Sequence, residues 1–218
     1  MLTRTRAHPA LVFPSLALAV GPLVAGCVVG EHHRSLTFDE SIAGVVVTLG
    51  SGDVRVTEGE LGAAIVEYDL GGVTVEPVGA SVQDGVLTVD LECKGACGGD
   101  VWVEVPQGAW VKVQLHRGDV ELDALSGPVS AMVGAGDVQA MDLMSGDVAI
   151  ALGAGDVWLD TSVREADVWA DVGAGDLDVT VPAGRYLLDV GVGAGDLGIV
   201  GVVEDPEGPG RIYAHTGA

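Results

Sequence analysis

The sequence predicts an all-β chain, a β-solenoid (β-helix-like) with about 20 residues and two main strands per coil. Three observations predict it. The tetrapeptide Gly-Ala-Gly-Asp recurs at residues 134–137, 153–156, 173–176 and 193–196, so Asp137, Asp156, Asp176 and Asp196 lie 19, 20 and 20 residues apart. A fixed period near 20 marks stacked units that bury their apolar faces only against neighbours. A second corner falls near each midpoint, at Ser145-Gly146-Asp147, Ala166-Asp167 and Pro182-Ala183-Gly184. Between corners the chain alternates with period 2, as in Val148-Ala149-Ile150, Val157-Trp158-Leu159 and Leu177-Asp178-Val179, which is the signature of half-buried strands.

The elements follow in chain order. Residues 1–26 read as a lipoprotein signal peptide. Arg4 and Arg6 form its basic start, and an apolar stretch interrupted by Pro14, Gly21 and Pro22 is too short and broken for a transmembrane helix. The stretch ends in Leu23-Val24-Ala25-Gly26-Cys27, which resembles the bacterial lipobox, and that resemblance implies lipidation of Cys27 after cleavage. Val28 stands where an aspartate would mark inner-membrane retention in some Gram-negative bacteria, which favours the outer membrane. Residues 27–35 are expected to form a tether.

Residues 36–117 carry the same beat loosely, as an irregular β region. Gly52-Asp53-Val54, Asp100-Val101 and Gly108-Ala109-Trp110 open strand-like runs there. Residues 118–203 form the regular Gly-Asp repeat. Residues 204–218 hold a loop with Pro206 and Pro209 and a candidate capping strand at 211–214.

Composition agrees. Of 218 residues 34 are glycine, valine dominates the apolar set, and lysine occurs only at Lys94 and Lys112. Small and β-branched residues between turn-formers favour short strands over helices. The formal charge is −22, and loss of the two arginines in residues 1–26 makes it −24. Such a surface repels phosphate backbones, so no nucleic-acid partner is expected.

A family resemblance stands on residues 101–127. They run as a valine strand through Val101-Trp102-Val103, then Pro106-Gln107-Gly108, a second strand, Gly118-Asp119-Val120 and Ser126-Gly127, with Gly-Asp-Val/Leu repeats beyond. This order is similar to the bacterial putative-adhesin domains of unknown function, over roughly residues 38–200. The resemblance implies an exported or membrane-linked β-repeat domain with a role in adhesion.

The repeated aspartates Asp137, Asp156, Asp176 and Asp196 have two readings. In the structural one, glycine permits the corner and the carboxylate hydrogen-bonds backbone just ahead, as in an Asx-turn. In the other, the column binds a cation such as calcium. Bare carboxylates about 5 Å apart in water repel by only about 0.8 kcal/mol per pair, so no metal is required. The calcium-binding nonapeptide pattern also differs in spacing.

Cys93 and Cys97 flank a Gly-containing turn, and in an oxidising compartment they suit a small disulfide. A metal site would want more ligands, and a redox motif would have two intervening residues. Trp102, Trp110, Trp158 and Trp169 sit beside core valines and should point outward, where an indole can stack on a sugar or pack against a partner.

Catalysis is not expected. The repeats offer only Arg164 and Arg185 as bases or charge clamps and no histidine between His116 and His215. Arg117-Gly118-Asp119 matches an integrin motif in letters, yet its Gly-Asp is an ordinary corner of the repeat.

The sequence thus points to a non-catalytic envelope lipoprotein with an adhesin-like or scaffold role and no cofactor. Its expected partners are the membrane, through the lipid, and a polysaccharide or protein at the cell surface. Self-association through an uncovered terminal strand is a further expectation. The alternatives are an envelope-stress accessory domain acting on membrane partners and a carbohydrate-active β-helix enzyme.

Overall fold

A computed structural model describes residues 30–59, 62–72, 79–91 and 97–217. Every element among them is a strand, and the fold is all-β. In chain order these are β1 (Gly30–Phe38), β2 (Gly44–Ser51), β3 (Val54–Glu58), β4 (Ala64–Gly72), β5 (Gly79–Gln83) and β6 (Val86–Leu91). Next come β7 (Cys97–Val105), β8 (Trp110–Arg117), β9 (Val120–Asp123), β10 (Val129–Ala135), β11 (Val138–Leu143) and β12 (Asp147–Ala154). The last are β13 (Val157–Thr161), β14 (Asp167–Val172), β15 (Leu177–Val192), β16 (Leu197–Glu204) and β17 (Gly210–Thr216).

Two hydrogen-bonded ladders organise the strands. One runs β5-β6-β2-β8-β10-β12-β14-β17 and ends on the second half of β15. The other runs β1-β4-β7-β3-β9-β11-β13, then the first half of β15, then β16. Because β15 belongs to both, all 17 strands form one connected sheet. From β8 to β15 the chain alternates strictly between ladders, and partners are offset by 18 to 20 residues: Val111↔Val129, Val129↔Val148, Asp147↔Asp167, Val157↔Leu177. These pairs are parallel, so equivalent side chains stack in rows.

Alternation sets the interior. In β8 the residues Val111, Val113 and Leu115 are buried between more open neighbours, and β12 repeats the pattern with Val148, Ile150 and Leu152. Inward residues from both ladders belong to one continuous core made mainly of valine and leucine, with Tyr68 and Tyr186 its only aromatic members among the described residues. Facing sheets lie about 10 Å apart, a gap that branched aliphatic side chains fill almost alone.

At both ends the stack departs from chain order. β2 lies between β6 and β8, and β3 lies between β7 and β9, so the first coil of the chain is enclosed by later ones. At the other end β17 enters between β14 and the second half of β15. Residues 211–214, read from sequence as a candidate cap, therefore pair inside the stack. Glu31–Ser35, expected as tether, lies in β1 and pairs antiparallel with Gly71–Glu67 of β4.

Candidate functional site

The corners of the second ladder build the site's floor. At the corner before β11, Gly136 has φ +136°, and a Cβ there would lie 2.0 Å from the carbonyl oxygen of Gly118. Glycine is required both for the backbone angle and for the close approach of neighbouring coils. The aspartate that follows turns its carboxylate along the stack. Asp119 donates its N–H to Oδ1 of Asp53, Asp137 to Asp119, Asp156 to Asp137, Asp176 to Asp156 and Asp196 to Asp176, at 2.8–3.0 Å. Asp53 donates likewise to Oδ1 of Asp100 at 3.2 Å.

The four repeat aspartates are thus brought together with three others in one ladder of side chain to backbone bonds. The carboxylate caps the adjacent coil's corner rather than its own turn. Among the described residues no group of three or more His, Cys, Asp or Glu side chains is arranged to hold a metal ion.

Two residues beyond each ladder aspartate except Asp196, which is followed there by Gly198, a side chain on the same outward face joins a second row. In register this row reads Glu67, Trp102, Arg55, Glu121, Gln139, Trp158 and Asp178. Trp102 and Trp158 are each 37% exposed and four strand steps apart, about 19 Å at ordinary strand spacing. Between them Arg55 pairs with Glu121 at 3.1 Å.

Two shallow grooves of about 290 and 280 Å³ meet at Trp102 and Arg55. The first runs past Asp53, Asp100, Asp119, Glu121 and Gln139, the second past Thr57, Glu67 and Glu104. The face therefore offers aromatic platforms flanked by hydrogen-bonding and acidic groups.

The other tryptophans lie on the opposite ladder. Trp169 is 41% exposed and stacks on Tyr213 with ring centroids 5.5 Å apart, and Tyr213 stacks on His215 at 4.1 Å. Trp110 is half-buried and lies flat over Gly44, where a Cβ would collide with the indole. Its ring covers the adjacent strand. Cys27 and Cys93 lie outside the described residues, and of Cys97 only the backbone, in β7, is described.

No family model and no curated protein matches the chain. Solved structures similar to it include a putative cell adhesion protein from Clostridium sporogenes, 12% identical, covering 86% of this chain and 99% of that one at a TM-score of 0.45. A putative adhesin from Parabacteroides merdae is 14% identical over 85% of this chain and 95% of that one, with a TM-score of 0.37. A putative lipid binding protein from Parabacteroides distasonis is 13% identical over 86% and 94%, with a TM-score of 0.31.

Sequence reasoning does not single out Arg55, Glu121 or Gln139, and does not place Asp53 and Asp100 with the repeat aspartates, whereas Asp119 already falls in the Gly-Asp repeat. A signal for them exists: Gly52-Asp53-Val54, Asp100-Val101 and Gly118-Asp119-Val120 share the corner chemistry, and from Asp53 to Asp176 the outward row falls at each ladder aspartate plus two.

Proposed function

We propose that this chain is a non-catalytic, adhesin-like lipoprotein of the bacterial envelope, a β-solenoid that binds neutral polysaccharide along one outer face. The solenoid reading is supported by parallel registers offset 18 to 20 residues over successive coils. The lipid anchor is supported by the lipobox-like stretch ending at Cys27.

The observation that carries the binding reading is the outward row holding Trp102 and Trp158 on one rigid ladder. An indole stacks on the apolar face of a pyranose ring, and polar neighbours satisfy its hydroxyls. A separation of about 19 Å on a rigid sheet suits an extended, multi-sugar chain better than a single small molecule. The aspartate ladder beside the row repels uronates and phosphorylated glycans, so the fitting class is uncharged.

The test is retention of the protein on insoluble neutral β-linked glycans, cellulose and chitin, against a polyanionic alginate gel. The reading expects retention on a neutral glycan that Trp102→Ser with Trp158→Ser abolishes while the melting temperature holds. Retention untouched by the double substitution counts against it.

A further inference from the structure

Among the described residues, the end of the stack formed by β15 and β16 is a core without a cover. Val190 and Val192 occupy inward register positions. Through β17 and β14 they align with Ala214 and Ala170, and with Thr216 and Val172. Those four partners are 0–3% exposed, whereas Val190 is 49% and Val192 59% exposed. On the outward face of the same strands Val200 and Val203, aligned with Thr180 and Arg185, are 61% and 63% exposed, and Leu187, aligned with Arg211, is 42% exposed. Nothing among the described residues pairs with the outer edge of β16 or of the second half of β15. The strand that could have covered them, β17, is spent inside the ladder.

The two ends differ in kind. At the far end the outermost strands are β1, whose sequence carries Glu31, His32, His33 and Arg34, and β5, which reads Gly-Ala-Ser-Val-Gln. Charged and short polar edges of this sort discourage pairing. Residues 197–203, Leu-Gly-Ile-Val-Gly-Val-Val, hold no charge at all. In residues 186–192 of β15, the part that pairs with β17, the only charge is Asp189, which lies 3.2 Å from His215. On a chain of net charge −22, this end is where like-charge repulsion between copies is weakest.

We infer that this end docks on the same end of a second copy, related by a two-fold axis, with both ladders continued antiparallel across the junction. An isologous contact fits because the partner must present two bare strand edges at the same sheet spacing with complementary valines, and this end presents both to itself. The apolar β16 edge has no counterpart on the charged β1 end, which disfavours head-to-tail filaments. Seven residues along each edge span about 23 Å, and two facing sheets with side chains about 20 Å. The contact then buries roughly 1,000 Å² in all, at the lower bound for a specific interface, with edge hydrogen bonds added. The partner is a second copy, and the assembly is a reversible dimer with both β1 ends outward.

The test is sedimentation velocity of the full chain in mild detergent from about 5 to 500 µM, beside hydrogen exchange at both limits. A monomer–dimer equilibrium is expected, with residues 187–203 gaining protection at high concentration. Val192→Lys with Val203→Lys should weaken the dimer at least about tenfold. Monomers throughout, species growing beyond dimer, or exchange at 187–203 independent of concentration would each overturn the proposal, the last, with a dimer still present, placing the contact elsewhere, residues 1–29 included. The exchange comparison uses the unaltered chain, so it stands even if the lysine variant fails to fold.

Discussion

The backbone N–H of Asp156 donates to Oδ1 of Asp137 at 3.0 Å, and in return the N–H of Val138 donates to the carbonyl oxygen of Asp156 at 2.9 Å. Adjacent corners are thus tied twice, once through the Asp137 side chain and once through the Val138 backbone. The same exchange recurs from Asp53 to Asp196, with Val54, Val120, Val157 and Leu177 as the returning donors. Such repetition ties each strand of this ladder to the next at the same place.

Removing one rung has a defined cost. Asp137→Ala leaves the Asp156 N–H without its charged acceptor and is expected to lower stability by about 1–2 kcal/mol. Asp137→Asn keeps an oxygen acceptor and relieves repulsion with Asp119 and Asp156, so its expected cost is under about 0.5 kcal/mol. Asp119→Ala and Asp176→Ala share no rung and should add, whereas Asp137→Ala and Asp156→Ala should not. Urea denaturation of the set decides; equal losses for Asn and Ala at 137 would refute the ladder's role.

Glycine at the corner is a stricter requirement. At Gly136 the angle of +136° and the Gly118 carbonyl both exclude a Cβ, so Gly136→Ala must separate two coils and should cost more than about 3 kcal/mol. Gly108 also has positive φ, +76°, but nothing lies within 4 Å of a built Cβ. Gly108→Ala should cost about 1 kcal/mol, the backbone penalty alone. Comparable urea midpoints for the two variants would contradict the close-approach argument.

These corners explain what the sequence could and could not disclose. Asp137, Asp156, Asp176 and Asp196 announce themselves because each coil needs glycine, then an acceptor, at one recurring place. The outward face of Trp102, Trp158 and Trp169 follows from period 2 alone. Neither the placing of β2 between β6 and β8 nor the insertion of β17 has a local signal, since each joins segments tens of residues apart that read like any other alternating strand. The half-buried position of Trp110 was equally hidden, because it depends on Gly44, 66 residues away, offering no side chain. The ladder's extension to Asp53 and Asp100 required knowing that the loosely spaced half shares the stack.

Thr161 is a buried hydroxyl whose removal should show in stability. Its side chain is 1% exposed, lies 2.9 Å from the Ser145 carbonyl and 3.2 Å from that of Leu143, and accepts the N–H of Val163 at 3.2 Å. Thr161→Val preserves shape but strands a carbonyl and an N–H, with an expected loss of about 1–3 kcal/mol. Thr161→Ser retains the hydroxyl and loses one methyl, about 1 kcal/mol. A valine variant as stable as the serine variant would show that packing, and not hydrogen bonding, holds this corner.

Asp205 gives the molecule a pH-sensitive loop. The N–H of Glu207 donates to its carboxylate at 2.9 Å, and Arg185 binds the same group from the side. Both hold Asp205 below the ordinary aspartate value, the backbone bond being the larger cause and the arginine the smaller, against a modest opposing effect of desolvation. A carboxylate with a depressed folded pKa stabilises the fold above its unfolded value, about 3.9, and that contribution is lost as pH falls through the folded value. The loop at 205–208 should therefore still hold where an ordinary aspartate is half protonated and open only at lower pH, with amide exchange at Glu207 and Gly208 rising there. Arg185→Gln should raise the Asp205 pKa yet leave it depressed, because the Glu207 bond remains. An NMR titration in which that variant reaches the ordinary aspartate value would transfer the leading role to the arginine.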